Sequence, residues 1–360
     1  YTGTEYPLSL KPLFGEDQLM AWIVLLMIYS FIASVLPVWS LLQPRDFINS
    51  HQLFVGLTLM ISGLIVSSPT VVAPAVNLNP EGAPPWFPFL FITIACGAIS
   101  GFHGLVSGGT SSKQVACWRD AKPIGYGGML SEGLLALLAT LAVTAGFENE
   151  ALWHQHYASW ESANGLAAKI GAFVLGAGKF ISSLGIPSDF ANTAIAVLII
   201  SFAATSLDTA CRIQRYILAE VGESLQIKSL GNRYLSSFIA ISSAFGLMLS
   251  SEGGRGGLQI WPLFGATNQM LAGLTLVVIC VFLIKNRRPV NNFLIPAVFV
   301  IAMTGWALGI NMQMYYENQK WFLFLLGGVL FLAQIWILVE SFRSLQKAKE
   351  SIEPGTNFKI

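Results

Sequence analysis

Long apolar stretches of about 20 residues, separated by short polar segments, dominate the chain. The hydrocarbon core of a bilayer is about 30 Å thick and an α-helix rises about 1.5 Å per residue, so each stretch predicts a membrane-spanning helix. The pattern predicts nine spans, near residues 19–43, 47–67, 86–108, 126–146, 190–211, 234–251, 260–284, 290–310 and 321–339. The sequence therefore indicates an all-α polytopic membrane protein.

A tenth stretch, residues 165–184, is ambiguous because it is rich in glycine and carries Lys169 and Lys179. If this stretch does not cross the membrane, most of the 20 Lys and Arg residues fall on one side. Loops rich in Lys and Arg are typical of the cytoplasmic side. We therefore predict a re-entrant or interfacial hairpin here, an N-terminus outside and a cytoplasmic C-terminus.

Composition supports this assignment and excludes other classes. Hydrophobic residues make up 54% of the chain and charged residues 11%, whereas a soluble domain carries about 25% charged residues. A net charge of +1 argues against nucleic acid as a partner. The four cysteines form no Cys-x-x-Cys or Cys/His cluster, so we expect neither a disulfide framework nor a structural zinc site, and no cofactor.

Ionisable side chains within spans are costly, so each one is a candidate functional group. The candidates are His51, His103, Glu132 and Asp208. Glu132, in the fourth span, either relays protons or braces a neighbouring loop, and His51 is interpreted as structural. Asn268 and Gln269, in the seventh span, are interpreted as polar contacts between helices.

The third span is unusual because five glycines and five hydroxyl side chains surround one histidine between Cys96 and Ser112. Glycine permits backbone that leaves the helix, and such backbone at membrane depth must line a cavity or face protein. Transporters use it to bind substrates near the midplane, whereas the alternative is a close contact between helices. The histidine and hydroxyls favour binding. The candidate substrate-binding residues are Gly101, Phe102, His103, Gly104, Ser107 and Thr110.

The fifth span carries four oxygen-bearing side chains at helical spacing, those of Thr205, Ser206, Asp208 and Thr209. Together with Glu132 they are the candidate ion-coupling residues. Oxygen ligands suit a hard cation such as Na⁺, and Thr205 and Ser206 are the candidate ligands. The alternative is that Asp208 pairs with Arg212 one turn later and binds nothing.

Catalytic motifs are weak. The Ser107 environment, Gly104-Leu-Val-Ser-Gly, departs from the Gly-x-Ser-x-Gly elbow of hydrolases. Neither His-Glu-x-x-His nor a phosphate-binding Gly-x-x-x-x-Gly-Lys loop occurs in the sequence. We therefore do not expect an enzyme, and an intramembrane hydrolase that uses Ser107 is the catalytic alternative.

Five stretches, in order between residues 19 and 285, resemble the carbon starvation protein A (CstA) family of bacterial inner-membrane transporters. They are Ile32-Ala-Ser-Val-Leu-Pro-Val-Trp with Pro44-Arg-Asp-Phe, Gly101-Phe-His-Gly-Leu-Val-Ser-Gly-Gly-Thr, Ile124-Gly-Tyr-Gly-Gly-Met-Leu-Ser-Glu-Gly, Ser206-Leu-Asp-Thr-Ala-Cys-Arg-Ile-Gln-Arg-Tyr and Ile260-Trp-Pro-Leu-Phe-Gly-Ala-Thr-Asn-Gln. The resemblance implies uptake of peptides or pyruvate, driven by an ion gradient, across the bacterial inner membrane.

The resemblance also implies the inverted-repeat helical bundle of leucine-transporter-like (amino acid–polyamine–organocation) carriers. The implied segments are an outer N-terminal segment 1–18, two spans ending the first repeat in 19–67, the second repeat in 86–284, two extra spans in 290–340 and a cytoplasmic tail 341–360. Within the second repeat, a broken helix is expected near 97–110 and an outer re-entrant hairpin at 147–189. Thr205 and Ser206 fall where related carriers place a sodium site.

Two departures from the family are visible. Where the family has Ser-Ser-Gly-Thr-Thr-Pro-Lys, this chain has Ser107-Gly-Gly-Thr-Ser-Ser-Lys, which indicates a different substrate preference. Family members are also longer, and the first helices of repeat one are absent from this chain, which begins at Tyr1. We expect those helices to come from the same gene product or from a partner subunit, with membrane lipid as the other partner.

These observations predict a secondary transporter for peptides or a small carboxylate such as pyruvate, coupled to H⁺ or Na⁺ and working by alternating access. His103 would gate the site or carry a proton, because a histidine side chain exchanges protons near neutral pH. The alternative is a non-transporting membrane sensor or assembly subunit that keeps the carrier fold. A fused signalling domain would mark that alternative.

Overall fold

The computed structural model describes residues 18–78, 81–163, 165–250 and 256–350, and the regular elements in these ranges are all helices. The expected all-α class is confirmed. The α-helices are α1 (Gln18–Val35), α2 (Leu42–Ser67), α3 (Trp86–Ala98), α4 (Gly101–Gly109), α5 (Ala121–Ala145), α6 (Glu150–His156), α7 (Leu166–Ser182), α8 (Ser188–Ser224), α9 (Arg233–Leu249), α10 (Gly256–Gln259), α11 (Trp261–Lys285), α12 (Asn291–Glu317) and α13 (Trp321–Glu350). Short 3₁₀ turns lie at Ser111–Lys113, Trp118–Asp120 and Lys228–Gly231.

Six helices in the described ranges are long and apolar enough to cross a membrane: α2, α5 with its preceding turn (Trp118–Ala145), α8, α11, α12 and α13. Two more apolar helices, Leu19–Val35 and Arg233–Leu249, are shorter. Large apolar side chains remain uncovered on these helices, for example Ile295, which is 70% exposed, and Trp336, which is 71% exposed. Lipid tails can cover such surfaces, whereas water covers them at a high cost. The chain is therefore a multi-pass membrane protein.

The chain divides into two compact units. The first unit comprises the described residues of Tyr1–Ala83 and Ala116–Gly254 and contains α1, α2 and α5 to α9. Its core lies where α2, α5, α7 and α8 meet, around the fully buried Phe180. The stretch 165–184 therefore forms one helix, α7, in the interior of this unit.

Small residues allow α2 and α7 to approach each other closely. A Cβ atom added to Gly63 would overlap the carbonyl group of Phe180, and the Ser183 hydroxyl donates a hydrogen bond to the Gly63 carbonyl oxygen at 2.9 Å. Helices in membranes pack through small residues because backbone contact replaces the missing hydrophobic driving force. Gly63 is therefore a packing position.

We expect Gly63→Ala to lower the free energy of unfolding by about 1–3 kcal/mol, because the new methyl group meets a backbone carbonyl that cannot turn away. The measurement is denaturant unfolding in detergent. Gly171→Ala in α7 is the matched control. A Cβ atom at Gly171 meets nothing within 4 Å, and alanine is the better helix former, so equal loss in both variants would contradict the packing role.

The second unit comprises the described residues of Pro84–Val115 and Arg255–Ile360 and contains α3, α4 and α10 to α13. Its core is formed by α11, α12 and α13, around Leu263, Leu308 and Leu323. Gly273 of α11 lies against the side chain of Ile301 of α12. The Gln334 side chain of α13 donates a hydrogen bond to the carbonyl oxygen of the same Ile301 at 2.8 Å. These contacts fix how far the three helices are shifted along their axes relative to one another.

The first two helix boundaries differ from the prediction. The expected span 19–43 ends at Val35 as α1, and α2 begins at Leu42 instead of residue 47. The residue before a proline avoids helical geometry, so Pro37 ends the first helix. Pro44 lies in the first turn of α2, where its missing N–H costs nothing.

α8 and α13 run furthest past the apolar stretches that predicted them. α8 has 37 residues, against the predicted 190–211, and is about 55 Å long at 1.5 Å per residue. α13 continues to Glu350, through the beginning of the predicted tail. Helical hydrogen bonding continues past the apolar stretch in both cases, since polar residues are also good helix formers.

Candidate functional site

The predicted third span is two helices, with a break between them. α3 ends at Ala98 and α4 begins at Gly101, and Ser100 between them is extended, with φ −105° and ψ 139°. The Ser100 hydroxyl caps α4 by accepting a hydrogen bond from the Phe102 N–H at 3.2 Å. The expectation of unwound backbone at Gly101–Gly104 is corrected, because the break precedes this stretch and Gly101 already starts the helix.

Asn268 of α11 joins the broken helix to its neighbour. Its Oδ1 accepts hydrogen bonds from the Ser100 hydroxyl at 3.0 Å and from the Phe102 N–H at 2.9 Å. The side chain is only 3% exposed, so these bonds form away from solvent. The interpretation of Asn268 as a polar contact between helices is confirmed.

Two faces of α4 have different surroundings. Gly101 and Gly104 lie against α11, where an added Cβ atom would overlap the Asn268 carbonyl oxygen and the Thr275 side chain, respectively. The close-contact interpretation therefore accounts for these two glycines. His103 and Ser107, one turn apart, are exposed, and the Ser107 hydroxyl donates to the Gly104 carbonyl oxygen at 3.0 Å.

Thr110 and Gln269, two buried side chains of the second unit, have polar atoms without a hydrogen-bond partner among the described residues. The Thr110 hydroxyl, just after α4, is buried and unpaired. Gln269 is fully buried, and neither its Nε2 nor its Oε1 has a partner. Gly101 packs against α11 between Asn268 and Ala272, so Gln269 lies at the same level along the axis of α11 as the break. The expected inter-helix hydrogen bond of Gln269 is not formed among the described residues.

The first unit contains a buried charge pair. Asp208 of α8 is 1% exposed and pairs with Arg45 from the first turn of α2. The Tyr29 hydroxyl of α1 donates to Asp208 Oδ2 at 2.9 Å and accepts a hydrogen bond from Arg45 Nη1 at 2.8 Å. The hypothesis that Asp208 pairs with Arg212 is therefore wrong, since the partner comes from another helix.

The other candidate ion-coupling residues lie in different surroundings. Thr205 accepts a hydrogen bond from the Asn49 side chain of α2, and its hydroxyl donates to the Ser201 carbonyl oxygen at 3.0 Å. Ser206 is exposed and bonds within its own helix, to the Phe202 carbonyl oxygen at 3.1 Å. Thr209 is buried beside Asp208, and Glu132 is exposed on α5.

No group of three or more His, Cys, Asp or Glu side chains that could hold a metal occurs within the ranges that the structure describes. Thr205 and Ser206 lie on adjacent positions of α8, which are about 100° apart around a helix with 3.6 residues per turn. A sodium site at Thr205 and Ser206 remains a prediction without structural support.

The candidate residues fall into two sets. The candidate substrate-binding residues all belong to the second unit, and the candidate ion-coupling residues all belong to the first. Sequence reasoning missed Tyr29, Arg45 and Asn49. Their signal was weak, because their partners are 152 or more residues away along the chain.

The long apolar helices and the break between α3 and α4 define a multi-pass membrane protein with a discontinuous helix. The chain belongs to the family described as "Carbon starvation protein CstA", whose model matches residues 10–154 and 146–307. This finding confirms the resemblance drawn from the sequence motifs. No solved structure matches the chain.

Relatives with curated names support the same family. The chain is 31% identical to the "Peptide transporter CstA" of Helicobacter pylori, an alignment that covers 89% of the chain and 53% of that protein. It is 31% identical to the "Pyruvate/proton symporter BtsT" of Escherichia coli, with 79% and 50% covered, and 32% identical to the "Peptide transporter CstA" of Escherichia coli, with 77% and 48% covered. The chain thus spans about half the length of these relatives, whose names describe transporters and not enzymes.

Proposed function

We propose that the chain is part of an ion-coupled secondary transporter that imports peptides or a small carboxylate such as pyruvate by alternating access. The observation that carries this proposal is the break between α3 and α4, held by Asn268. Broken helices leave backbone amides and carbonyls unpaired at membrane depth, and transporters bind substrates and ions with these groups. The names of the relatives agree with a transport role.

The proposed architecture is the leucine-transporter-like inverted repeat. In this arrangement α1 and α2 end the first repeat, α3 and α4 form the broken first helix of the second repeat, and α6 with α7 form the outer re-entrant segment. We further propose that the protein lies in the bacterial inner membrane with its C-terminus in the cytoplasm, as the bias of Lys and Arg residues favours.

The proposed substrate site lies at the break and on the exposed face of α4. Ser107 and Thr110 would offer hydroxyls, and the start of α4, whose Phe102 N–H is already bonded to Ser100 and Asn268, would add the positive end of its helix dipole for a substrate carboxylate. Gln269 joins this set because it follows Asn268, which holds the break, and its buried amide has no hydrogen-bond partner among the described residues. A buried polar group without a partner costs free energy, which a bound substrate would recover.

We propose H⁺ as the coupling ion, in place of Na⁺. One relative is named a pyruvate/proton symporter. The candidate oxygen ligands on α8 have separate surroundings, which gives Na⁺ little support. Thr205 bonds to Asn49, Asp208 pairs with Arg45, and Ser206 is exposed. His103, exposed on α4, is the proposed proton carrier.

The uncovered first half of α5 is where we propose that further helices of the same gene product, or a partner subunit, attach. The large apolar side chains of Ile124, Tyr126, Met129 and Leu130 are each more than half exposed. Gly125, Gly127 and Gly128 on this segment meet nothing within 4 Å. Small residues beside apolar ones are typical of a helix-packing face.

Uptake by the complete gene product in proteoliposomes tests the proposed function. Labelled pyruvate is supplied outside with an inward proton gradient, with and without excess unlabelled dipeptide. Gradient-driven entry that dipeptide leaves unchanged identifies a pyruvate–proton symporter. If pyruvate stays out and labelled dipeptide enters, the substrate is a peptide. If neither enters, the protein does not transport these substrates, and the sensor or assembly alternative replaces the proposal.

We expect His103→Ala to lose most of the gradient-driven uptake, because no other group of α4 can exchange a proton near neutral pH. The measurement compares uptake with and without the proton gradient. His51→Ala is the matched control, since His51 is also an exposed histidine on an apolar helix and belongs to no proposed site. Full gradient-driven uptake by His103→Ala would remove the proton role.

A further inference from the structure

A cavity of about 380 Å³ in the first unit is lined by three arginines. It lies among the segment after α1, the second half of α8 and the start of α9, and Arg212, Arg215, Tyr216 and Arg233 line it. We call it the arginine cavity. No Asp or Glu is among its lining residues. Its volume falls within the range of about 300–1,000 Å³ that is usual for small-molecule sites.

Two of the arginines hold the C-terminal end of α1. Arg212 Nη2 donates to the carbonyl oxygens of Ala33 at 2.6 Å and Leu36 at 2.9 Å. Arg215 Nη1 donates to the Ser34 carbonyl oxygen at 2.8 Å. The end of a helix carries only about half a negative charge, so these bonds do not neutralise two guanidinium groups.

Among the described residues, neither Arg212 nor Arg215 forms an ion pair with a carboxylate. Arg212 is 3% exposed, and its Nε has no hydrogen-bond partner. Asp208, one turn before Arg212 on the same helix, is bonded to Arg45 and Tyr29. A buried cation is costly unless an anion pairs with it.

The third arginine is placed at the mouth of the cavity. Arg233, the first residue of α9, is exposed and donates a hydrogen bond to the hydroxyl of the neighbouring Tyr234 at 3.0 Å. Among the described residues it bonds to neither the end of α1 nor a carboxylate. Its presence in the cavity lining is therefore not explained by the packing of α1.

We propose that the arginine cavity binds the phosphate of an anionic phospholipid headgroup. Guanidinium groups match phosphate oxygens in two-pronged hydrogen bonds, and basic pockets between membrane helices bind lipid headgroups. The predicted apolar stretch of α8 ends at residue 211, so Arg212 and Arg215 lie where headgroups are expected. Exposed Leu235 and Phe238 on α9 provide apolar surface for acyl chains beside the mouth. This inference does not depend on transport.

Native mass spectrometry of the purified full chain in a neutral detergent tests the site. Phosphatidylglycerol, phosphatidylcholine and inorganic phosphate are titrated separately. We expect retention of phosphatidylglycerol over phosphatidylcholine, and about fivefold weaker binding of phosphatidylglycerol by Arg233→Gln, since one Arg contributes a factor of this size. Arg119→Gln, which removes an exposed arginine of the same unit outside the cavity, is the matched control and should bind like the wild type.

The outcomes separate the sources of the phosphate. Binding of phosphatidylglycerol that inorganic phosphate does not displace, and that Arg233→Gln weakens, supports the lipid site. If inorganic phosphate alone binds and needs Arg233, the cavity takes a free anion and the lipid assignment is wrong. Equal binding of phosphatidylglycerol by Arg233→Gln and Arg119→Gln, or equal retention of phosphatidylcholine, overturns the site altogether.

Discussion

Replacing Asp208 with Asn is expected to lower the free energy of unfolding by about 3 kcal/mol, because the half-buried Arg45 guanidinium loses its buried anion and keeps only the partly exposed Asp46, 3.7 Å from its Nη2. Tyr29 keeps an acceptor in the variant, but the charge pair is lost. Denaturant unfolding in detergent micelles measures the effect. A second variant, Arg45→Gln with Asp208→Asn, should recover much of the loss, since no unpaired charge then remains inside.

Asp189→Asn is the matched control for the Asp208 experiment. Asp189 lies in the first turn of the same helix, α8, and is exposed. Its removal affects only the helix dipole, so we expect a loss below about 1 kcal/mol. Similar losses for Asp189→Asn and Asp208→Asn, or no recovery in the double variant, would show that the buried pair stabilises the protein no more than an exposed carboxylate does.

Replacing Gln269 with Met is expected to separate stability from transport. Methionine keeps the length of the side chain and removes two polar atoms that have no partner, so the free energy of unfolding should rise by about 1 kcal/mol. If Gln269 binds the substrate carboxylate, uptake should fall at least about tenfold, because a hydrogen bond to a charged group contributes about 1.5–3 kcal/mol. Proteoliposome uptake and detergent unfolding are measured on the same preparation.

The neighbouring Asn268 provides the contrasting variant. Asn268→Leu removes the acceptor of the Ser100 hydroxyl and one of the two acceptors of the Phe102 N–H, so we expect a loss of about 2 kcal/mol in the free energy of unfolding. The two adjacent amides should therefore change stability in opposite directions. A Gln269→Met protein that is less stable and transports normally would refute the proposed role of Gln269.

Much of the helical framework could be predicted because each apolar stretch determines its own helix. α11 runs from Trp261 to Lys285, within one residue of the expected 260–284. The predicted helix boundaries were wrong where a proline or a run of polar residues lies near the end of an apolar stretch. Pro37 ends α1 early, and the polar residues after 211 continue α8, since hydrogen bonding within a helix does not require an apolar side chain.

The candidate sites could be predicted only as far as their residues are neighbours along the chain. The spacing of His103 and Ser107 on one face of a helix follows from 3.6 residues per turn. The partner of Asp208 does not, because helix spacing offers Arg212 while the fold brings Arg45 from 163 residues away. The same holds for Gln269, whose lack of a partner depends on how three helices pack and not on its own sequence context.

The length of α8 has a consequence for any movement of this unit. One continuous helix carries Asp208, which holds Tyr29 of α1 and Arg45 of α2, and also Arg212 and Arg215, which hold the end of α1. Sliding α8 along its axis past α1 would break the hydrogen bonds at both places at once. The three helices should therefore travel as one rigid body, and a covalent crosslink between α1 and α8 should leave their movement intact.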